Sequence, residues 1–168
     1  MSFRRRDGLS GMPSVTPSLW FDNNLEEAAQ FYTSVFPNSS IEQFQRYSEA
    51  GPGTPGDVAW GTFVLDGQRF LGINGGPAFS FSEAVSFMIH CKDQDEVDYY
   101  WDRLVDGGEE SQCGWLKDRF GLSWQVTPDR LFELEGDPDP ARAAAATKAL
   151  HGMRKIVIAE LEDAVRDV

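Results

Sequence analysis

The chemistry available to this chain is carried by a few strand-borne side chains. His90 sits in Ala84–Cys91 (AVSFMIHC), an apolar and β-prone run, two residues from Met88 and four from Ser86. On a strand these three share one face, and that face suits the wall of a ligand cavity. The imidazole has two readings. One is a partly buried ring hydrogen-bonded to backbone; the other is a general base or ligand contact. No residue near it in sequence marks a partner that would orient it. Gln125, with Ser123 and Thr127 on its own strand face, offers amide and hydroxyl contacts to a bound molecule. Trp20 shares a face with Ser18, while Trp60, Trp115 and Trp124 lie on or beside other strands. Most of these indoles read as core, and the remainder would form a surface on which a flat or apolar ligand stacks. Cys113 precedes Gly114-Trp115 at a turn and reads as a packed thiol, with Lys117 the nearby cation. The cavity candidates are therefore Ser18, Trp20, Ser86, Met88, His90, Cys113, Trp115 and Gln125, with His90 and Gln125 as the catalytic candidates. His151, in a C-terminal helical stretch, reads as structural or exposed.

These residues need elements to hold them. Val15–Phe21 is β-prone, and Asn24 with Glu27 has the spacing of a capping box before a helix through Leu25, Ala28, Ala29, Tyr32, Val35 and Phe36. Pro37-Asn38 stops that helix. A strand follows over Ile41–Ser48, in which Ile41, Gln43 and Gln45 alternate with Glu42, Phe44 and Arg46. The turn-rich Gly51–Gly56 reads as a mobile loop. Asp57–Leu65 and Gln68–Asn74 then flank Asp66-Gly67, the strongest hairpin signal in the chain. A second module repeats the order. Ala84–Cys91 is its strand, Asp93 with Glu96 its capping box, Val97 to Val105 its helix, Gly107-Gly108 the stop. Ser111–Lys117 and Leu122–Thr127 are its later strands. Shifting the first module by 68 residues lays Ser18–Phe21 on Ser86–Ile89, and shifting by 54 lays Gly67–Leu71 on Gly121–Gln125. The repeated order of elements points to internal duplication. Beyond Pro128, Asp139-Pro140 opens a helix over Ala141–Met153, and Lys155–Arg166 is a second amphipathic helical stretch. Both read as packing elements on the sheet or on a second subunit.

Composition narrows the function classes. The 168 residues carry 15 Lys and Arg against 27 Asp and Glu, a formal charge of −12, with 41% hydrophobic and 12% aromatic residues. That is enough apolar material for a real core. Such an acidic chain repels phosphate backbones and anionic lipid, so neither nucleic acid nor a membrane surface is an expected partner. Residues 1–13 include Arg4, Arg5 and Arg6 without a following apolar stretch, and read as a flexible arm instead of a secretory leader. No apolar run reaches the ~20 residues of a membrane span. Two cysteines without a CxxC pair fit a reducing, cytoplasmic setting, with neither a zinc site nor a disulfide framework.

Four stretches taken together resemble one family: Thr16–Phe21 with Glu26-Glu27-Ala28 and Phe31-Tyr32; Leu65–Phe70; Asn74-Gly75-Gly76-Pro77; and Gln112–Val126. The combination is similar to the PhnB-like proteins of the vicinal-oxygen-chelate (glyoxalase/bleomycin-resistance) superfamily, a group often labelled demethylubiquinone methyltransferase-like. The resemblance implies an α+β fold of two β-α-β-β-β modules forming a half-open barrel around a cavity, in a homodimer. The arm over 1–13 lies outside the resemblance, and the domain plan continues with a paired-module domain over 14–128 (modules about 14–77 and 84–128) and a helical extension over 129–168. The resemblance also implies four metal-ligand positions, near Pro17 or Ser18, near Leu71, near Ser86, and at Gln125. Gln125 alone is a matching donor there; proline and leucine have none, and neutral serine hydroxyls bind divalent metals poorly. No metal and no cofactor are expected. The methyltransferase label finds no glycine-rich strand–turn–helix in this sequence.

Three functions remain open at this point. The chain is a metal-free binding protein for a small apolar or aromatic molecule; or an enzyme (lyase, isomerase or dioxygenase-like) using His90 and Gln125, or metal ligands placed elsewhere; or an interaction module docking another protein.

Overall fold

The computed structural model describes residues 15–166 and 168, so the arm expected over 1–13 lies outside the described residues. The chain divides into two compact units, with the boundary between Gly76 and Pro77.

The first unit runs β1 (Ser18–Phe21), α1 (Leu25–Val35), β2 (Ser40–Arg46), β3 (Val58–Leu65) and β4 (Gln68–Asn74). Its sheet has the order β1-β4-β3-β2, with β1 parallel to β4 and the other pairs antiparallel. The period of two decides its faces. Leu19 and Phe21 are buried with Phe63 and Phe70, whose rings stack 5.5 Å apart, and with Leu25, Ala28, Ala29, Tyr32 and Val35 of α1. The hairpin at Asp66-Gly67 is as the sequence predicts. Both residues take positive φ (43° and 79°), which is the twist a two-residue connection between Leu65 and Gln68 demands.

Two local expectations fail here. Asn24 makes no side-chain cap; the amide N–H of Leu25 is instead accepted by Asn74 Oδ1 at 3.0 Å, from the end of β4. A buried long-range acceptor displaces the local one. In β2 the register slips between Ile41 and Gln43, a bulge that breaks the alternation read from the sequence. The Gly51–Gly56 stretch, expected as mobile, is closed at its base: the Tyr47 N–H donates to Asp57 O and the Gly56 N–H to Tyr47 O.

The second unit runs β5 (Ser86–Cys91), α2 (Gln94–Val105), β6 (Glu109–Glu110), β7 (Trp115–Lys117), β8 (Ser123–Pro128), α3 (Asp129–Glu135), α4 (Pro140–Leu150) and α5 (Ile158–Arg166). Its sheet order, β5-β8-β7-β6 with β5 parallel to β8, repeats the topology of the first unit. The duplication read from the sequence is therefore present as topology. Measured against the strand each pairs with, Leu71 (opposite Ser18) corresponds to Ser123 (opposite Ser86), two places before Gln125 and on the same face.

The Asp93 cap forms as expected, its carboxylate accepting the Glu96 N–H at 3.0 Å, while Glu96 reaches back to the Lys92 N–H at 2.9 Å. Both α3 and the two-residue β6 are absent from the sequence reading. The C-terminal helices pack within this unit. Leu131, Leu134, Ala146, Met153, Ile156, Leu161 and Val165 form one apolar cluster. Among the described residues no helix is long and apolar enough to cross a membrane.

Candidate functional site

The second unit's sheet has a polar and aromatic face and an apolar one, and the register fixes which residue lies on which. Parallel pairing sets Ser86 beside Ser123, Met88 beside Gln125 and His90 beside Thr127; antiparallel pairing sets Gln125 beside Trp115 and Ser123 beside Lys117. Opposite faces of the same strands carry Ile89, Cys91, Trp124, Val126 and Leu116, all buried. Five of the candidates, Ser86, Met88, His90, Trp115 and Gln125, thus share one face of one sheet. Met88, Gln125 and Trp115 form a single cross-strand row, with Met88 exposed and the other two half-buried. Gln125 Nε2 donates to Ser86 Oγ at 2.8 Å, which fixes the amide on that face.

His90 is not the partly buried, backbone-bonded ring of the simpler expectation. Its side chain is 62% exposed, and Nδ1 lies 3.1 Å from Asp129 Oδ1. With hydrogen on Nδ1 the ring donates to Asp129, and Nε2 keeps its lone pair. The Phe132 ring packs against it, centroids 5.8 Å apart. The partner invisible in sequence comes from 39 residues downstream: β5 and β8 end side by side, and Asp129 is the first residue beyond Pro128.

Cys113 stands outside the strands, in the bend before β7 at φ 58°, its N–H donating to Met153 O. Ser18 and Trp20 share a face of β1 in the first unit, with Leu71 and Ile73 beside them in register. Trp20 Nε1 is committed to Gly76 O at 2.8 Å. Trp124 is core: it is buried, and its Nε1 donates to Asp118 Oδ2 at 2.8 Å. Asp118, in the turn between β7 and β8, also accepts the N–H groups of Phe120 and Leu122. His151 is exposed at the end of α4.

The four ligand positions implied by resemblance do not fit a divalent metal. Leu71 brings no donor, the Ser86 hydroxyl is engaged by the Gln125 amide, and Ser18 is a neutral hydroxyl. Among the described residues, no three His, Cys, Asp or Glu side chains gather where they could hold a metal ion.

Two mixed α+β units of one topology, each closed by a parallel pairing of its first and last strands, define a protein of the glyoxalase/bleomycin-resistance fold. The fosfomycin resistance protein FosX from Listeria monocytogenes shares that fold at 16% identity and TM-score 0.54, over 75% of this chain and 97% of that one. A Pseudomonas aeruginosa protein does so at 19% identity and TM-score 0.57, over 70% and 98%. The family model described as 3-demethylubiquinone-9 3-methyltransferase matches residues 13–127, and the chain belongs to that family. It is 36% identical to the PhnB protein from Bacillus cereus, with TM-score 0.64, 69% of this chain covered and 99% of that one. No curated protein matches the sequence.

Proposed function

We propose that this chain binds a small, flat or apolar molecule without a metal, on the face of the second unit's sheet that carries Met88, Gln125 and Trp115. The observation that carries the reading is that row: a thioether, an amide fixed by Ser86 and an indole lie side by side. The indole and thioether supply apolar contact, and the amide supplies a directional hydrogen bond. Methyl transfer, the activity in the family's description, finds little support in the turns that would hold an adenosine donor. The β1–α1 turn is Asp22-Asn23-Asn24 and the β5–α2 turn is Lys92-Asp93; neither has the glycines that let backbone approach such a ligand in doubly wound folds. The resemblance noted in the sequence supports a homodimer, and two unpaired cysteines support a reducing, cytoplasmic setting.

Native mass spectrometry of freshly purified, untagged protein tests this. The expected spectrum is a metal-free dimer with an organic adduct that is lost in Trp115→Ala and Gln125→Ala. One divalent metal per chain would overturn the metal-free reading, and an adduct indifferent to both substitutions would overturn the assignment to this face.

The His90–Asp129 pair favours a second reading, in which the bound molecule is also turned over with His90 Nε2 as general base. Under it, His90→Asn and Asp129→Asn stop conversion of the adduct while the adduct still binds. Conversion that continues in both variants removes the pair from the chemistry.

A further inference from the structure

Next to the Met88–Gln125–Trp115 row lies another, Glu109–Lys117–Ser123–Ser86, one residue from each of β6, β7, β8 and β5 on the same face. Over it is a cavity of about 110 Å³, whose lining includes Glu83, Glu109, Glu110, Trp115, Lys117 and Ser123. Ser123 is fully buried, and its Oγ has no hydrogen-bond partner among the described residues. A buried hydroxyl left unpaired is costly, and one that lines a cavity points to an occupant with a complementary polar group.

The charges around it choose the sign of that group. Two carboxylates, Glu83 and Glu109, face one ammonium, while Glu110 stands opposite Leu116 on the other face. Lys117 Nζ is taken by Glu83 at 2.6 Å, and that bond raises the lysine and lowers the glutamate from their ordinary ranges. Glu110 is shared by Arg154 at 3.3 Å and Trp101 Nε1 at 3.4 Å. Glu109 makes no ion pair among the described residues, although its charge also acts on Lys117. What remains for an occupant is one uncommitted carboxylate, one hydroxyl and the Trp115 indole. Together these are the groups that hold an alkylammonium: counter-charge, acceptor and π face. An anion would meet the carboxylates with only a neutralised lysine in return. The volume is well short of the several hundred Å³ that enclose a drug-sized ligand, so the cavity suits a head group and leaves the rest of the molecule outside.

We propose that the cavity at Glu109, Lys117 and Ser123 takes the ammonium group of a small primary amine, with the remainder of the ligand lying along Trp115, Gln125 and Met88. This inference rests on the reading that this face binds a small molecule, and it adds the ligand's charge and the residues that select it.

The test is amide and indole NMR of the ¹⁵N-labelled full-length chain, titrated with three four-carbon probes: n-butylammonium, 1-butanol and butyrate. Butylammonium is expected to give saturating shifts at Ser123, Lys117 and the Trp115 indole. Butanol should bind about tenfold more weakly or worse, and butyrate should cause none of these shifts. Glu109→Gln should weaken butylammonium about fivefold or more, as should high salt, because a half-exposed charge pair is screened. Ser123→Ala should weaken butylammonium while melting no lower than the parent, since it removes an unpaired buried hydroxyl that accepts from the ligand. Equal binding of butanol, tighter binding of butyrate, or indifference to Glu109→Gln overturns the ammonium assignment and leaves the binding face standing. Absence of shifts with all three probes also overturns it. The binding reading is then decided separately, by whether the retained adduct depends on Trp115.

Discussion

At the scale of single residues, position on a strand face decides chemistry more than residue type does. His90 and Cys91 are neighbours, yet the imidazole is exposed against Asp129 while the thiol has no exposure at all. Burial, and then the charges of Glu96, Asp129 and Asp93, push the Cys91 thiol up to about 12 from an ordinary value of 9.0. The folded chain therefore holds its proton where the unfolded chain releases it. Stability from this group is intact below pH 9 and declines as pH rises from 9 toward 12, with a slope of up to about 1.4 kcal/mol per pH unit. Urea midpoints between pH 8 and 11 should fall more steeply in the parent than in Cys91→Ala, since the other titrating groups are common to both. Parallel curves would show that the thiol is not held as the fold implies. The same geometry explains what the sequence concealed at this scale. His90 is visible as a strand histidine facing away from the apolar side, but Asp129 becomes its partner only through the parallel pairing of β5 with β8. The cavity at Ser123 is concealed in the same way, because Glu109, Lys117 and Ser123 meet only across three strands.

At the scale of elements, what was legible is what local forces settle. The Asp66-Gly67 hairpin, the Asp93 cap and the span Gln68–Asn74 follow from turn chemistry, capping and periodicity within a few residues. The elements that escaped are those made by tertiary contact. β6 is two glutamates with no strand propensity, held by pairing with Lys117 and Leu116. α3 is seven residues that start directly after a proline and are anchored by Leu131 and Leu134. The N-terminus of α1 shows the competition directly. Asn24 has the sequence position of a cap, and Asn74 does the work, accepting the Leu25 N–H at 3.0 Å and donating Nδ2 to Val58 O at 2.9 Å. Both bonds are buried and both would be left open by truncation. Asn74→Ala should therefore cost about 2–4 kcal/mol, against about 0.5 kcal/mol or less for Asn24→Ala. Urea unfolding of the two variants measures the difference, and similar costs would return the capping role to Asn24.

At the scale of the whole molecule, the duplicated topology was readable from the order of elements, but the place of the C-terminal helices was not. Composition marks 129–168 as helical and says nothing of what it packs against. In the structure the second unit extends from Pro77 to Val168, and the segment between α4 and α5 is fastened to the sheet region at several points. Cys113 and Gly114 donate their N–H groups to Met153 O and Arg154 O at 2.8 and 2.7 Å. The Gln94 side chain bridges the Ile156 O and Ile158 N–H at 3.1 and 2.9 Å. Gly114, at φ 82°, takes the place where any Cβ would press on Ile156. Ile156 itself is fully buried and sits in the cluster with Leu131 and Leu161. If these helices were a detachable tail, emptying that position would matter little. Because they complete the unit that carries the binding face, Ile156→Ala should cost about 2–5 kcal/mol, and a chain ending at Gly136 should bind a hydrophobic dye and unfold at markedly lower urea. The segment also holds the turn immediately before Trp115. A folded Ile156→Ala protein should therefore lose affinity for the molecule retained by the parent, although residue 156 is not on the binding face. Unchanged stability together with unchanged adduct would assign the helices to another task and leave the sheet face self-sufficient.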